Sequence, residues 1–296
     1  MQKNKIGFIG LGIMGGAISK NLLDAGFDVL GFDISASATD RHQANGGTIA
    51  TSIQDVCEQV NVIFTSLPTE KALADVIQGL NGVCSVKGSQ IIIEISTMPL
   101  SLKIELETAL SKAGKKMLDC PVSGTGAQAI LKDLIVFASG EQSSYDVVKD
   151  IFPGMSKSQF FLGDFGNGSK MKFLANVLVG IHNAAAAEVF ALAGKAGINL
   201  SDVYEVLKDS AGASKMFQMR GPLMVNNDYD KVTATVDTFM KDLSIISKFA
   251  ADLKCPTPLF DVTHQLYYAT LNQGLGQKDS ASVCALMEKL AGVKRD

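Results

Sequence analysis

The chain has 296 residues, of which 47% are hydrophobic and 19% charged, and its formal net charge is -3. This composition is typical of a compact globular protein, and the length favours two domains over one. We expect neither nucleic-acid nor membrane partners, because the chain lacks a basic balance and no uninterrupted apolar run reaches the ~18–20 residues of a membrane span.

The first half of the chain alternates between short strands and helices. Strands are predicted at the apolar runs KIGFIG, FDVLGFD, NVIFTSLP, SQIIIEIS, KKMLDC and LIVFASG. Helices are predicted between them, as at MGGAISKNLLDAG, TEKALADVIQGL and PLSLKIELETALSKAG. Strands that are buried on both faces and separated by helices indicate a mostly parallel, doubly wound α/β sheet of the Rossmann type.

The second half is predicted to be all-α. It begins with one very long helix, SKMKFLANVLVGIHNAAAAEVFALAGKAG, which is apolar almost all round and therefore buried. Four helical segments follow, at SDVYEVLKDSAG, TVDTFMKDLSIISKFAADL, PTPLFDVTHQLYYATLNQG and DSASVCALMEKLAG. We predict a Rossmann-type α/β domain over residues 1–164 and an all-helical domain over residues 165–296, joined by the long helix.

A glycine motif lies between the first strand and the first helix. Its cofactor-binding residues are predicted to be Gly10, Leu11, Gly12, Ile13, Met14 and Gly15. In this G-x-G-x-x-G pattern the glycines allow a tight turn and a close approach of pyrophosphate to the helix N-terminus. Asp33 ends the second strand, where a carboxylate accepts a hydrogen bond from a ribose hydroxyl. Since Asp33 also repels a 2′-phosphate and no arginine follows it, NAD is favoured over NADP.

Cysteine and histidine are few and scattered. The five cysteines include no C-x-x-C pair, and the three histidines have no ligand-like spacing. This pattern is typical of a reducing, cytoplasmic compartment and predicts no metal site.

Lys172 and Asn176 lie four residues apart on the long helix and therefore share one face. A positioned lysine can take the proton of an alcohol, and the amide can orient the same oxygen. The helix alone leaves a second reading open, in which Lys172 extends to the surface as an ordinary solvated lysine.

Four segments resemble the motifs of the β-hydroxyacid dehydrogenase family. They are GFIGLGIMGGAISKNLLDAG, DCPVSGTGAQA, GNGSKMKFLAN and FMKDL, and they occur in that order along the whole chain. The family includes 3-hydroxyisobutyrate dehydrogenase and tartronate semialdehyde reductase and is related to 6-phosphogluconate dehydrogenase. The resemblance implies that Lys172 is the catalytic acid/base and that Asn176 helps to hold the substrate.

The same resemblance implies further contacts. Ser123 and Gly124 would bind the substrate carboxylate, and Lys241 would reach the cofactor and substrate region. Thr125 also flanks the substrate, where the family usually has a second glycine, and this departure leaves the identity of the acid open. Leu67, Pro68 and Thr97 follow two strands at the edge where nicotinamide and ribose are expected.

The resulting prediction is an NAD-dependent dehydrogenase of a small, 3-hydroxyisobutyrate-like 3-hydroxy acid. The stretches VLVGIHNAAAAEVFALAGKAG and DSAGASKMF resemble the L-threonate dehydrogenase branch, so a sugar-acid substrate is an alternative, as is an imine. A noncatalytic dinucleotide-binding protein is a third reading, disfavoured by the Lys172 and Asn176 pair. The family resemblance also predicts a homodimer or homotetramer. It implies that residues 1–164 bind the dinucleotide and that residues 165–296 form the substrate and oligomerisation domain.

Overall fold

The computed structural model describes residues 5–295, which form two compact units that divide between Lys172 and Phe173. The strands of the first unit are β1 (Lys5–Ile9), β2 (Asp28–Phe32), β3 (Thr48–Ile49), β4 (Val62–Thr65), β5 (Ile91–Glu94), β6 (Lys116–Asp119), β7 (Val122–Ser123), β8 (Ile135–Ala138) and β9 (Ser158–Phe161). Its helices are α1 (Ile13–Asp24), α2 (Ala36–Ala44), α3 (Ile53–Gln59), α4 (Glu70–Gln78), α5 (Leu100–Lys112), α6 (Gly126–Ile130) and α7 (Gln142–Val148).

The first six strands form one parallel sheet in the order β3-β2-β1-β4-β5-β6. Apolar side chains on both faces, such as Phe8, Ile63 and Ile93, are fully buried. This confirms the predicted doubly wound Rossmann-type sheet. The strand order reverses between β1 and β4, so the loops after β1, β2, β4 and β5 meet at one edge, where α/β proteins of this type bind nucleotides.

The predicted strand at LIVFASG belongs to a second sheet, which the sequence did not indicate. This sheet has the order β7-β8-β9, with β7 antiparallel and β9 parallel to β8. Its first strand, β7, is only two residues long and carries Ser123 opposite Ile135. The sheet therefore fixes the backbone of the predicted substrate-binding loop.

The long helix is α8 (Asn167–Lys195), and the second unit continues with α9 (Leu200–Leu207), α10 (Lys215–Asn226), α11 (Val236–Asp252), α12 (Pro258–Thr270) and α13 (Val283–Ala291). These helices confirm the predicted all-α region. Helix α10 was not predicted, because Pro222 lies inside it and would be expected to interrupt a helix. Ser214 caps its start by accepting a hydrogen bond from the N–H of Phe217.

Helix α8 is long and apolar enough to cross a membrane when judged by length and composition alone. Within the described residues, however, 44% of its most apolar window is buried in the protein. Phe173, Ala187 and Phe190 are among its buried side chains. The prediction that α8 is buried all round is therefore wrong for part of its surface, where Leu178 and Leu192 are more than half exposed.

Candidate active site

The glycine loop between β1 and α1 shows which of its glycines the protein itself requires. A Cβ atom on Gly10 would lie 2.1 Å from the Ser66 carbonyl oxygen, and one on Gly15 would lie 1.9 Å from the Gly10 carbonyl oxygen. Apart from the adjoining backbone, no described protein atom lies within 4 Å of a Cβ atom on Gly12. The middle glycine therefore leaves open space next to the helix N-terminus, which fits the approach of a pyrophosphate.

The side chains within this loop point in different directions. Leu11 is buried in the core, and Met14 packs against the core. Ile13, in contrast, is 82% exposed. Of the predicted loop residues, the buried ones anchor the loop, while Ile13 is available to a bound molecule.

Asp33 directly follows β2 and is tied to the glycine loop. One carboxylate oxygen accepts the backbone N–H of Leu11 at 2.6 Å, and the other accepts that of Ser35 at 2.8 Å. The next residue, Ile34, is 97% exposed. The negative charge is thus fixed at the edge of the glycine loop, beside an apolar surface residue.

The loops after β4 and β5 are joined to each other. The backbone N–H of Leu67 donates to Ser96 Oγ at 2.8 Å. Pro68 and Thr97 follow Leu67 and Ser96, respectively, and both are on these loops. The sheet therefore brings the predicted contacts Leu67, Pro68 and Thr97 to the same edge as the glycine loop.

The predicted substrate loop is built tightly around Gly124. This residue has a φ of +140°, and a Cβ atom on it would lie 2.4 Å from Leu134 Cδ2, so both backbone and space require glycine. Thr125 caps α6: its N–H donates to Gln128 Oε1 at 3.0 Å, and the Gln128 N–H donates to Thr125 Oγ1 at 3.4 Å. The cap explains a threonine here, and its contact with substrate stays a prediction.

Lys172 lies in the second turn of α8 and is 9% exposed. Two residues earlier, Lys170 is exposed and donates to Asn167 Oδ1 at 3.1 Å. Lys172 is thus not the solvated surface lysine that the sequence left open. Burying an ammonium group is costly unless it is paired and hydrogen-bonded, so lysine is seldom buried to this extent.

The helical unit adds Asp242, a residue that was not among those predicted from the sequence. Asn176, one turn after Lys172 on α8, is buried and donates its side-chain N–H to Asp242 Oδ2 at 3.0 Å. The other oxygen of Asp242 lies 3.0 Å from Lys241 Nζ. Asp242 therefore links the predicted residues Asn176 and Lys241. It is part of FMKDL, so the motif itself contained the signal.

Comparison with known proteins is consistent with this geometry over the whole chain. Residues 5–163 match the profile described as the NAD binding domain of 6-phosphogluconate dehydrogenase. Residues 166–287 match the profile described as the NAD-binding region of NADP-dependent 3-hydroxyisobutyrate dehydrogenase. The chain belongs to the β-hydroxyacid dehydrogenase family. As a family member it is an oxidoreductase that acts on hydroxy acids with a nicotinamide cofactor, NAD or NADP.

Relatives in this family share the full length of the chain. L-threonate dehydrogenase of Cupriavidus necator is 33% identical over 96% of this chain and 95% of its own. The 2-(hydroxymethyl)glutarate dehydrogenase of Eubacterium barkeri is 27% identical over 99% and 98%. A solved structure of 3-hydroxyisobutyrate dehydrogenase from Salmonella typhimurium superposes with a TM-score of 0.86 at 30% identity, covering 95% of this chain and 99% of that one.

Proposed function

We propose that this dehydrogenase uses NAD and oxidises the hydroxyl group of a small 3-hydroxy carboxylic acid, with Lys172 as the acid/base. The observation that carries the proposal is the low exposure of Lys172, 9%, on a helix whose neighbouring lysine is solvated. A dehydrogenase needs a group that removes the hydroxyl proton as the hydride leaves. Lys172 is the chemically suitable side chain of the third family motif.

The choice of NAD over NADP rests on Asp33. Its two oxygens are held by the N–H groups of Leu11 and Ser35, so the carboxylate cannot easily turn away from a ligand at the loop. A ribose hydroxyl would donate to it, whereas a 2′-phosphate would be repelled. Exposed Ile34 offers no positive charge in compensation.

The chain's own residues divide the work of the reaction. The residues that would hold the cofactor are those of the glycine loop, with Asp33 at its edge. When bound, nicotinamide supplies the hydride acceptor. Ser123 Oγ and the N–H of Gly124 would hold the substrate carboxylate, and Asn176 would orient the reacting hydroxyl. Lys172 Nζ would accept the hydroxyl proton during oxidation and return it during reduction.

A four-carbon sugar acid is the second candidate substrate. The specific observation in its favour is the 33% identity to L-threonate dehydrogenase of Cupriavidus necator over 96% of this chain. Thr125, which stands where the family usually has glycine, adds a hydroxyl beside the carboxylate clamp. Such a hydroxyl suits a substrate that carries more than one alcohol group.

A substrate panel tests these proposals. Purified protein is mixed with NAD or NADP and with 3-hydroxyisobutyrate, L-threonate, glycerate or 2-(hydroxymethyl)glutarate, and reduced cofactor is followed by absorbance. A cyclic imine with reduced cofactor tests the imine alternative. A preference for 3-hydroxyisobutyrate over L-threonate, with NAD, supports the first candidate, and the reverse preference supports the second. Turnover with NADP alone would overturn the assignment of Asp33.

We also propose that the protein works as a homo-oligomer. On the part of α8 that belongs to the helical unit, Leu174, Leu178 and Leu192 are all more than half exposed. A second copy of this chain would remove this apolar stripe from water. Light scattering after size exclusion tests the proposal, and Leu178→Glu should shift the mass towards that of a monomer.

A further inference from the structure

Three fully buried charged side chains pack together inside the α/β unit. They are Glu94 at the end of β5, Lys103 on α5 and Asp119 at the end of β6, each with 0% exposure. Lys103 Nζ lies 2.5 Å from Glu94 Oε2 and 2.8 Å from Asp119 Oδ1, and it donates to the Ser96 carbonyl oxygen at 2.7 Å. We call Glu94, Lys103 and Asp119 the buried triad.

Burial and ion pairing act in opposite directions on the charges of Lys103 and Glu94. Burial by itself would lower the pKa of Lys103, but the carboxylates of Asp119 and Glu94 outweigh burial and raise that pKa. Burial raises the pKa of Glu94, and the ammonium of Lys103 offsets part of the rise. Removing such charges from water is expensive, and apolar side chains of similar volume often give equal or greater stability. Stability is therefore a poor explanation of the triad.

One end of the triad holds the first turn of α8. Asp119 Oδ2 accepts the backbone N–H of Ser169 at 2.7 Å, and Asp119 Oδ1 accepts the Ser169 hydroxyl at 2.8 Å. The first N–H groups of a helix have no partner within the helix, and a carboxylate placed there is also favoured by the helix dipole. Ser169 lies three residues before Lys172, so Asp119 fixes the turn that directly precedes the proposed acid/base.

The same end is in contact with the start of the substrate loop. Ser139 Oγ accepts the N–H of Gly168 at 2.9 Å. A Cβ atom on Gly168 would lie 2.6 Å from the Asp119 carbonyl oxygen and 3.1 Å from Pro121 Cδ. The backbone of α8 thus rests directly on the segment that leads from Asp119 to Ser123. A shift of Asp119 would move both the carboxylate clamp and the acid/base.

The other end of the triad reaches the loops predicted to contact the cofactor. Glu94 Oε1 accepts the backbone N–H of Ser96 at 2.8 Å, while Lys103 holds the carbonyl of the same residue. Ser96 Oγ in turn accepts the N–H of Leu67. A continuous set of buried contacts therefore runs from the loops after β4 and β5 to the first turn of α8.

We propose that the buried triad is a positioning unit for catalysis, which holds the first turn of α8, directly before Lys172, in register with the substrate loop and the loops after β4 and β5. This inference rests on the proposed role of Lys172 as acid/base. Reaction rates depend steeply on such placement, and an error of about 1 Å can cost roughly 10²-fold. None of the three side chains is proposed to touch the substrate.

The test compares two buried lysines of the same unit. Lys103→Met removes the centre of the triad, and Lys115→Met is the matched control. Lys115 is also 0% exposed, but it donates to the carbonyls of Val86 and Gly88, away from α8. Ser169→Ala is a milder third variant, which leaves the triad intact and removes one hydroxyl. For each full-length variant we would measure turnover, the KM values for the hydroxy acid and for the cofactor, and the midpoint of unfolding in urea. We would also measure the backbone hydrogen exchange of residues 169–172.

Positioning predicts a specific combination of results. In Lys103→Met, the backbone amides of residues 169–172 should exchange hydrogen roughly ten-fold faster than in wild type. In Lys115→Met, their exchange rates should be unchanged. Turnover should fall by roughly 10- to 100-fold in Lys103→Met, and KM for the cofactor should rise as well, because Lys103 holds the carbonyl of Ser96. In Ser169→Ala, turnover should fall by about 10-fold while KM for the cofactor stays within about two-fold. Lys115→Met should lose stability while keeping its turnover per folded molecule.

Two outcomes would overturn the proposal. One is unchanged turnover in Ser169→Ala together with equal losses in the two lysine variants, which would make the triad purely structural. The other is wild-type exchange rates at residues 169–172 in Lys103→Met. If the wild-type protein turned over none of the acids, the proposed function would fail, while the exchange measurement would still decide whether the triad holds α8.

Discussion

Asn176 donates its side-chain N–H to Asp242 at 3.0 Å, and this bond sets the direction of the whole amide. An ionised carboxylate can accept hydrogen bonds but cannot donate them. The NH₂ group of Asn176 must therefore face Asp242, and its carbonyl oxygen must face away from Asp242. The group that Asn176 offers to a substrate is then its carbonyl oxygen, which accepts a hydrogen bond but does not take the proton, so proton transfer is left to Lys172.

Asn176→Asp is therefore expected to bind substrate worse than wild type although the size of the side chain is almost unchanged. The new carboxylate would face Asp242, and like charges in partly buried contact repel. We expect KM for the hydroxy acid to rise by the ~1–3 kcal/mol of a broken hydrogen bond to a charged group, or roughly 5- to 150-fold. NAD affinity, measured by fluorescence quenching, serves as the control. A KM within about two-fold of wild type would show that the amide direction is irrelevant.

Replacing Asp33 should change the cofactor preference. Asp33→Ser removes the acceptor for the ribose hydroxyl and the repulsion between the Asp33 carboxylate and a 2′-phosphate. Ile34→Arg adds a positive partner for that phosphate. The double variant should therefore bind NAD more weakly and NADP more tightly than wild type. The measurement is kcat/KM for each cofactor on the best acid. Asp33→Ser also frees the N–H groups of Leu11 and Ser35, so Thr39→Ala on the neighbouring helix is the control for a disturbed surface. A wild type that already prefers NADP about ten-fold or more would contradict this assignment.

The fold could be predicted in outline because its signals are local. Apolar runs of strand length, glycine turns and an apolar helix of unusual length each depend on neighbouring residues, and together they indicate a Rossmann-type unit followed by helices. The second sheet escaped prediction because β7 and β9 are short and partly polar and pair only through tertiary structure. Helix α10 was missed because Pro222 disfavours a helix locally, whereas packing in the folded protein overrides that local preference.

The candidate site was only partly visible in the sequence. Motif residues such as Gly12, Asp33 and Lys172 could be named, because their spacing carries chemical meaning. Lys103 could not, since it lies in the pattern LSLKIEL, where a lysine normally points to solvent. Its burial depends on ion pairs with Glu94 and Asp119, which end two different strands, whereas Lys103 itself lies on a helix. Long-range ion pairs of this kind leave no local pattern.

Ser123→Ala tests the carboxylate clamp. Loss of a hydrogen bond to a charged group should raise KM for the hydroxy acid by ~1–3 kcal/mol, while the affinity for NAD barely changes. Ser123 is half-buried and pairs through its backbone with Ile135, so the substitution leaves β7 in place. Equal losses of acid and NAD affinity would instead indicate a disturbed loop.

His42 should make the stability of the protein depend on pH. Burial lowers the pKa of His42 below its ordinary 6.5, and the contact with the Val29 carbonyl offsets part of this effect. The unfolded chain then binds the proton more readily than the folded one, so the contribution of His42 is present above about pH 6.5 and is lost as the pH falls below it. Unfolding in urea at about pH 7.5 and about pH 5.5 should show a loss of at most ~1.4 kcal/mol per pH unit from this group. His42→Gln should reduce that loss, and an identical pH dependence in the variant would contradict the assignment.

Lys172 is expected to carry the proton chemistry, and Lys170 provides a matched control on the same helix. Lys172→Ala should lower turnover by about 10² to 10⁴-fold, the usual contribution of a general acid/base. Lys172→Arg should fail almost as severely, because a guanidinium does not release its proton at working pH. Lys170→Ala removes an exposed lysine bonded to Asn167 and should leave turnover close to that of wild type. Affinity for NAD should persist in all three variants, since the predicted contacts of the cofactor lie on the glycine loop and Asp33. If Lys172→Ala kept more than about a tenth of wild-type turnover, lysine would be removed from the mechanism and another base would have to take the proton.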